Sequence, residues 1–300
     1  MHITDAQVRD VLTYDALIPA MASALADYTA GNAVQPVRTT IPIADKGGFL
    51  FVMPAYAPGA PSLGAKLVSY FPKNVGLHSH FATIQLFNPA TGEPLVSLDG
   101  TLITEMRTAA VSAVATHALA RKDAKVLAIL GAGVQARSHL AALRKVRSFT
   151  DVRVWSPKSS AAFAREHQVT AAASAEACVR GADVIVVATS SPTPVLHGDW
   201  VAAGAHVNSV GASRPEWREL DDVFVEKARV FVDSRAAAPV ESGDVIAAGR
   251  MDAEIGEVLL GRHGGRASDS EVTWFKSLGM AIEDVVAAEL VRKALSGVTT

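Results

Sequence analysis

The stretch Lys125-Val-Leu-Ala-Ile-Leu-Gly-Ala-Gly-Val-Gln-Ala136 constrains the fold more than any other part of the chain. A short apolar run, Val126–Leu130, reads as a buried parallel strand. It breaks at Gly131, and a helical pattern follows in which Ala136, Leu140 and Leu143 share one face. Strand, glycine turn and helix together carry the form G-x-G-x-x-A. Gly131 permits the tight turn, Gly133 lets backbone approach a pyrophosphate, and Ala136 keeps the helix near the strand. Gly131, Gly133, Val134, Gln135 and Ala136 are therefore candidate cofactor-binding residues, with the free N–H groups of the helix N-terminus facing the phosphates. Glycine triplets also arise by chance. The position of this one, after a strand and before a helix, favours a dinucleotide site.

The middle of the chain repeats this alternation. Val152–Trp155, Asp183–Ala188, Ala205–Val210 and Val230–Asp233 read as strands, with helical patterns near Ala161–Glu166 and Ala175–Arg180 between them. Such alternation predicts an α/β, Rossmann-type doubly wound parallel sheet. Ligands of these sheets sit outside the carboxyl ends of the strands. The loops Gly131–Gln135, Ser156–Ser160, Thr189–Pro194 and Gly211–Arg218 are then the ones to watch, with Thr189 a candidate cofactor contact.

The first part of the chain reads differently. Helices are expected over Thr4–Leu12 and Leu17–Thr29. Extended segments follow at Val37–Ile43, Gly48–Met53, Gly64–Phe71, Phe81–Phe87 and Pro94–Leu98. Asp99-Gly100 is a hairpin signal leading into Thr101–Ile103. Thr104 can cap a long helix, Glu105–Leu119, that links two domains, and the tail Val272–Leu295 reads as helical. The expected organisation is a mostly antiparallel α+β domain from residues 1–118 and 272–300, and a Rossmann domain over 119–271.

Composition narrows the function classes. Net charge is −2 with no block of like charges, which gives no support to nucleic-acid or electrostatic membrane binding. The longest apolar stretch, near Ala109–Ala120, is too short to span a bilayer, and the start of the chain lacks the pattern of a signal peptide. The one cysteine, Cys178, excludes an intrachain disulfide and a thiolate metal cluster, and reads as a small buried hydrophobe. His78 and His80 have no third ligand at a zinc spacing, so no metal is expected and both are read as structural. A cytoplasmic setting follows.

Three cations of the first domain stand out. Arg38 lies inside an otherwise uncharged extended segment, Lys66 lies mid-strand, and Arg107 lies in the first turn of the Glu105 helix, where the dipole disfavours a cation. A cation on an apolar element needs a partner. Snorkelling or a distant Asp or Glu would serve each one. For all three together, a bound anion such as a substrate carboxylate is the better explanation. Arg suits it through bidentate contact, and Lys can also relay a proton.

An NAD site usually carries Asp or Glu at the end of the second strand, about 20 residues beyond the glycines. That strand ends here in Val154-Trp-Ser-Pro-Lys-Ser159, with no carboxylate. Ser156, Lys158 and Ser159 could hold a 2′-phosphate, which favours NADP(H) over NAD(H). Lys158 could equally be a solvated loop residue. The loop Arg214-Pro-Glu-Trp-Arg-Glu219 is either a solvated connection or a lid over the nicotinamide.

The chain resembles the ornithine cyclodeaminase/mu-crystallin family over nearly its whole length. The matching segments are Gln35-Pro-Val-Arg-Thr39, Val52-Met-Pro-Ala-Tyr56, Ala65-Lys-Leu-Val68, Arg107-Thr-Ala-Ala-Val-Ser-Ala113, Ile129-Leu-Gly-Ala-Gly-Val-Gln-Ala136 and Gly181-Ala-Asp-Val184. Further on come Val210-Gly-Ala-Ser-Arg-Pro-Glu-Trp-Arg-Glu-Leu-Asp-Asp222, Glu241-Ser-Gly-Asp-Val245 and Phe275-Lys-Ser-Leu-Gly-Met-Ala-Ile-Glu-Asp284. The last segments are most similar to the mu-crystallin branch, whose activity is ketimine reduction.

The resemblance implies a homodimer built through the first domain, with NAD(P) bound in the second. It also implies that Arg38, Lys66 and Arg107 bind a substrate carboxylate. Catalytic roles are expected for Lys66 and Arg107, and weaker polar contacts for Thr83 and Ser213. In ornithine cyclodeaminase an aspartate stands where this chain has Ser213, and a serine is no base at neutral pH. The expected activity is reduction of Δ1-pyrroline-2-carboxylate or Δ1-piperideine-2-carboxylate to proline or pipecolate. The rivals are an ornithine cyclodeaminase, an alanine-dehydrogenase-like enzyme, and a non-catalytic NADPH-dependent binding protein.

Overall fold

A computed structural model describes residues 1–297. The chain divides into two compact units. One runs from Met1 to Arg107 and resumes at Gly279; the other is Thr108–Leu278.

The first unit opens with β1 (His2–Ile3), α1 (Asp5–Val11) and α2 (Tyr14–Thr29). Thr4 and Gln7 form a reciprocal capping box at the start of α1, and Thr13 caps α2. Then come β2 (Thr39–Ile43), β3 (Gly48–Ala57), β4 (Ser62–Tyr70), β5 (His80–Phe87) and β6 (Pro94–Asp99). They build a sheet of order β1-β6-β5-β4-β3-β2, antiparallel except for the β1–β6 pair. Arg38 lies just before β2 rather than inside a strand.

The expected hairpin at Asp99-Gly100 is not formed. α3 starts at Thr101 and runs to Leu119, so Thr104 is inside the helix and Arg107 lies beyond its first turn. A long-range contact overrides the local turn signal: Asp5 accepts a hydrogen bond from the Leu102 N–H at 3.1 Å and so caps α3 from α1.

The second unit contains β7 (Val126–Leu130), α4 (Val134–Val146), β8 (Asp151–Trp155), α5 (Ser160–His167), β9 (Thr170–Ala171), α6 (Ala175–Val179), β10 (Val184–Val187) and β11 (His206–Ser209). It continues with α7 (Asp222–Lys227), β12 (Arg229–Val232), α8 (Ala238–Glu241), α9 (Gly243–Ala248), β13 (Ala253–Glu254), α10 (Ile255–Leu259) and β14 (Thr273–Lys276). The eight strands are parallel, in the order β13-β12-β14-β11-β10-β7-β8-β9. The order reverses between β7 and β10, which makes that point the topological switch where such sheets bind ligands.

β14 corrects the expectation of a helix from Val272. Its four residues are fully buried between β11 and β12, with Trp274 and Phe275 each contributing about 1.5–3 kcal/mol through burial. Aromatic and β-branched residues suit a strand enclosed on both edges. Gly279 then separates this strand from the last helix, α11 (Ala281–Leu295), which belongs to the first unit. Among the described residues no helix is long and apolar enough to cross a membrane.

Candidate active site

Two sets of functional groups emerge, one in each unit. In the first unit, Lys66 points to the buried face of the sheet, where its cross-strand neighbours are Met53 and Ile84. Its Nζ lies 2.5 Å from Oδ2 of Asp284, and both side chains are buried. Arg107 donates through Nε to Oδ1 of Asp284 at 2.9 Å and through a terminal nitrogen to Oε2 of Glu283 at 2.8 Å. Arg38 donates to the Gly279 carbonyl at 2.8 Å, and a Cβ at Gly279 would run into the Arg107 guanidinium. Lys66, Arg107 and Arg38 thus gather around the first turn of α11. Lys66 and Arg107 are satisfied by carboxylates distant in sequence, the alternative to a bound anion. Arg38 brings a third cation beside them, on the Gly279 carbonyl.

Burial lowers the Lys66 pKa to about 8, against the pull of Asp284, with Arg107 and Arg38 pushing further down. Lys66 is therefore poised to lose its proton near neutral pH. Asp284 and Glu283, both fully buried, were not among the residues singled out from the sequence. The available signal was a pair of adjacent acids inside the otherwise apolar run Ala281–Ala288. Carboxylates in the first turn of a helix are also favoured by its dipole.

Thr83 does not join this cluster. It pairs with Leu67 across β4 and β5, and so lies exposed on the opposite face of the sheet from Lys66. His78 and His80 are held by aromatic neighbours: His80 stacks on Tyr70 with centroids 4.3 Å apart, and His78 meets Phe81 edge-on. Among the described residues no group of three or more His, Cys, Asp or Glu could hold a metal ion. Burial raises the Cys178 thiol to about 11, which suits a packing role.

In the second unit the glycine turn joins β7 to α4. Gly131 has φ +114°, its N–H donates to the Trp155 carbonyl at 2.8 Å, and a Cβ there would run into the Ala188 carbonyl. Only glycine meets all three demands. A Cβ on Gly133 would meet no protein atom within 4 Å, so its lack serves nothing inside the chain and suits close approach of a ligand. Val134 is exposed at the start of α4, Gln135 is half-buried, and Ala136 is fully buried beneath the helix. These features fit a dinucleotide pyrophosphate.

The loop after β8 carries Ser156, Lys158 and Ser159. Lys158 and Ser159 are exposed, and the loop is braced by Ser160, whose Oγ accepts from the Ser156 N–H at 2.6 Å and donates to the Ser156 carbonyl at 2.8 Å. Thr189 follows β10 and is held by Glu219, a buried carboxylate that sequence reading had placed only in a solvated or lid-like loop. In that loop Arg214 lies over the Trp217 ring at 4.8 Å and Arg218 pairs with Asp222 at 2.7 Å. Ser213 is exposed in the loop after β11.

Comparisons with known proteins give the chain's family. The family model of the ornithine cyclodeaminase/mu-crystallin family matches residues 1–298. The chain is 47% identical over 285 residues to ketimine reductase mu-crystallin of Mus musculus, covering 92% of this chain and 90% of that protein. It superposes with a TM-score of 0.94 on Thermococcus litoralis Δ1-pyrroline-2-carboxylate reductase in complex with NADH and L-proline, at 37% identity and covering 99% and 98% of the two chains. An archaeal alanine dehydrogenase dimer with bound NAD gives a TM-score of 0.93 at 33% identity, covering 100% of this chain and 97% of the other. The chain belongs to the ornithine cyclodeaminase/mu-crystallin family.

Proposed function

We propose that the protein is an NAD(P)H-dependent reductase of cyclic ketimine carboxylates, converting Δ1-pyrroline-2-carboxylate or Δ1-piperideine-2-carboxylate to L-proline or L-pipecolate. The observation that carries this reading is the pair Lys66 and Arg107, buried around Asp284, with the half-buried Arg38 on the neighbouring Gly279 carbonyl, in the unit that does not hold the glycine turn. Likeness to a ketimine reductase and to a reductase bound to L-proline supports it.

Reduction of a C=N bond adds a hydride to carbon and a proton to nitrogen, and a reduced nicotinamide supplies the hydride when bound. Arg38 and Arg107 hold the substrate carboxylate, and fixing the imine in one orientation is much of the catalysis. Asp284 and Glu283 fix the plane of the Arg107 guanidinium. Lys66, in its ammonium form, assists anion binding and supplies the proton to the imine nitrogen. The loops of the second unit hold the dinucleotide through Gly131, Gly133, Val134, Gln135, Ala136 and Thr189. Ser156, Lys158 and Ser159 accommodate a 2′-phosphate, so NADP(H) is the favoured form. The Thermococcus litoralis reductase binds NADH and the archaeal alanine dehydrogenase NAD, which makes this preference a point to measure on this chain.

We assign the working unit as a homodimer. One row of the first unit's sheet runs through Ile41 and Phe81 and the next through Leu67 and Thr83, all on the face away from Lys66. Ile41, Leu67 and Phe81 are each nearly half exposed, an apolar face that a second copy would cover. Thr83 then belongs to that face. A reducing cytoplasm suits the single, buried cysteine.

The reading is tested by following NADPH and NADH oxidation with each imine, beside controls of ornithine plus NAD+ and of pyruvate plus ammonia. Oxidation with either imine supports the reductase. Ammonia from ornithine, or activity confined to pyruvate and ammonia, would replace it with a cyclodeaminase or an amino-acid dehydrogenase.

A further inference from the structure

We propose that Glu219 is a positioning residue for the nicotinamide half of the dinucleotide, an inference that rests on the dinucleotide reading above. Its carboxylate is fully buried and accepts four hydrogen bonds. Oε1 receives the N–H and the Oγ1–H of Thr189 at 2.8 and 2.7 Å. Oε2 receives the N–H groups of Gly211 and Ala212 at 2.8 and 3.0 Å. All four donors come from the loops that follow β10 and β11, which are neighbours in the sheet. A carboxylate offers about four acceptor sites and no donor, so it alone among side chains of this length can pin two loops at one point.

The charge is costly at this depth. Burial pushes the Glu219 carboxyl above the ordinary carboxylate range, while Lys276 and the Thr189 hydrogen bonds pull it back. A buried ion is tolerated only when fully hydrogen-bonded and charge-paired. The surroundings supply the hydrogen bonds and, in Lys276, an attracting charge. Asp244 accepts from the backbone N–H groups of Glu219 and Leu220 at 3.0 and 3.1 Å, which fixes the main chain that carries the carboxylate. Lys276, the last residue of β14 and fully buried, lies 3.6 Å from the other oxygen of Asp244. Space is equally constrained: a Cβ at Gly211 would collide with the Thr189 carbonyl and with the Glu219 carboxylate. Lys276, Asp244 and Glu219 thus brace the carboxyl ends of β10, β11 and β14.

Across the switch point the two halves of a doubly wound sheet take the two mononucleotides. The loops after β7 and β8 carry the glycine turn and Ser156–Ser159, which serve the adenosine and pyrophosphate. The loops after β10 and β11, pinned by Glu219, are left for the nicotinamide side. Their shape, set before binding, lowers the ordering cost of holding that half.

The test compares whole and half ligands. Kd values for NADPH and NADH are read by fluorescence titration, and those for ADP and its 2′-phosphorylated analogue by calorimetry. In E219Q the amide must turn a donor toward N–H groups, so at least part of the clamp is lost. The dinucleotide Kd is expected to rise tenfold or more while that of the half ligand stays within twofold. Should E219Q fail to fold, E219D, which keeps the charge but draws the carboxylate back from its four donors by one methylene, carries the same expectation. Equal losses for whole and half ligands, or no change for the dinucleotide, overturn the inference while the dinucleotide reading stands. Wild-type protein that binds neither dinucleotide overturns that reading and the inference with it.

Discussion

Lys66 and Asp284 face each other at 2.5 Å inside the first unit, one from the middle of β4 and the other from the first turn of α11. The same carboxylate receives the Nε–H of Arg107, so one acid orients two of the cations assigned to substrate.

The protonation of Lys66 sets the first prediction. A proton donor works in its acid form, so kcat/KM should fall as pH rises through about 8, the value to which burial has lowered this lysine. Asp284 raises that value, so D284N should move the falling limb to lower pH. pH–rate profiles of the two proteins check this; coincident limbs would mean that Lys66 is not the titrating donor.

Arg107 should matter to substrate and not to cofactor. R107A is expected to lower kcat/KM at least about a hundredfold, equivalent to about 2.7 kcal/mol, with the NADPH Kd unchanged. It also takes one partner from each of the buried Glu283 and Asp284, which costs up to about 3–5 kcal/mol of stability. Thermal melts must therefore accompany the kinetics. R107K keeps the charge but not the planar fork, and should recover stability more than turnover. Parallel loss of NADPH binding would contradict the assignment.

Cofactor preference is expected to lie in the loop after β8. K158A should weaken NADPH binding severalfold and leave NADH unchanged, because only the former carries the 2′-phosphate. S156D, which installs an acid near the ribose, should invert the preference. Equal effects on both dinucleotides would return Lys158 to the role of a solvated loop residue.

Two buried histidines give an acid limit to stability. Burial lowers His139 to about 4 and His206 to about 3, the latter with help from Arg266. The unfolded chain therefore binds their protons first, and stability should be lost as pH falls below about 6.5, at about 1.4 kcal/mol per unit for each histidine. Melting temperatures between pH 7 and 4 measure this. H139Q should flatten the dependence; an unaltered slope would mean that other groups govern it.

What could be read in the sequence was what is local. The run Val126–Leu130 and the turn to Ala136 stand where the apolar pattern and the glycines place them, because a strand and a helix start are set by adjacent residues. Arg38, Lys66 and Arg107 stood out because a cation on an apolar element is anomalous wherever it lies. Their partners did not stand out. Asp284 and Glu283 meet Arg107 only after the chain returns to the first unit, and no spacing rule spans that distance. The strand Thr273–Lys276 was hidden for a related reason: four residues show no period, and their place between β11 and β12 comes from the sheet. Glu219 sits in a charged loop, and its burial is explained by donors from the loop after β10 and from the start of its own loop after β11.

The most direct measurement follows the transferred atom. The protein is incubated with Δ1-pyrroline-2-carboxylate and with NADPH and NADH deuterated at the transferable C4 position, and the product is examined by mass spectrometry and NMR. The account predicts L-proline carrying one deuterium at Cα, formed in step with dinucleotide oxidation. No labelled proline from either dinucleotide, with the imine recovered unchanged, would contradict it.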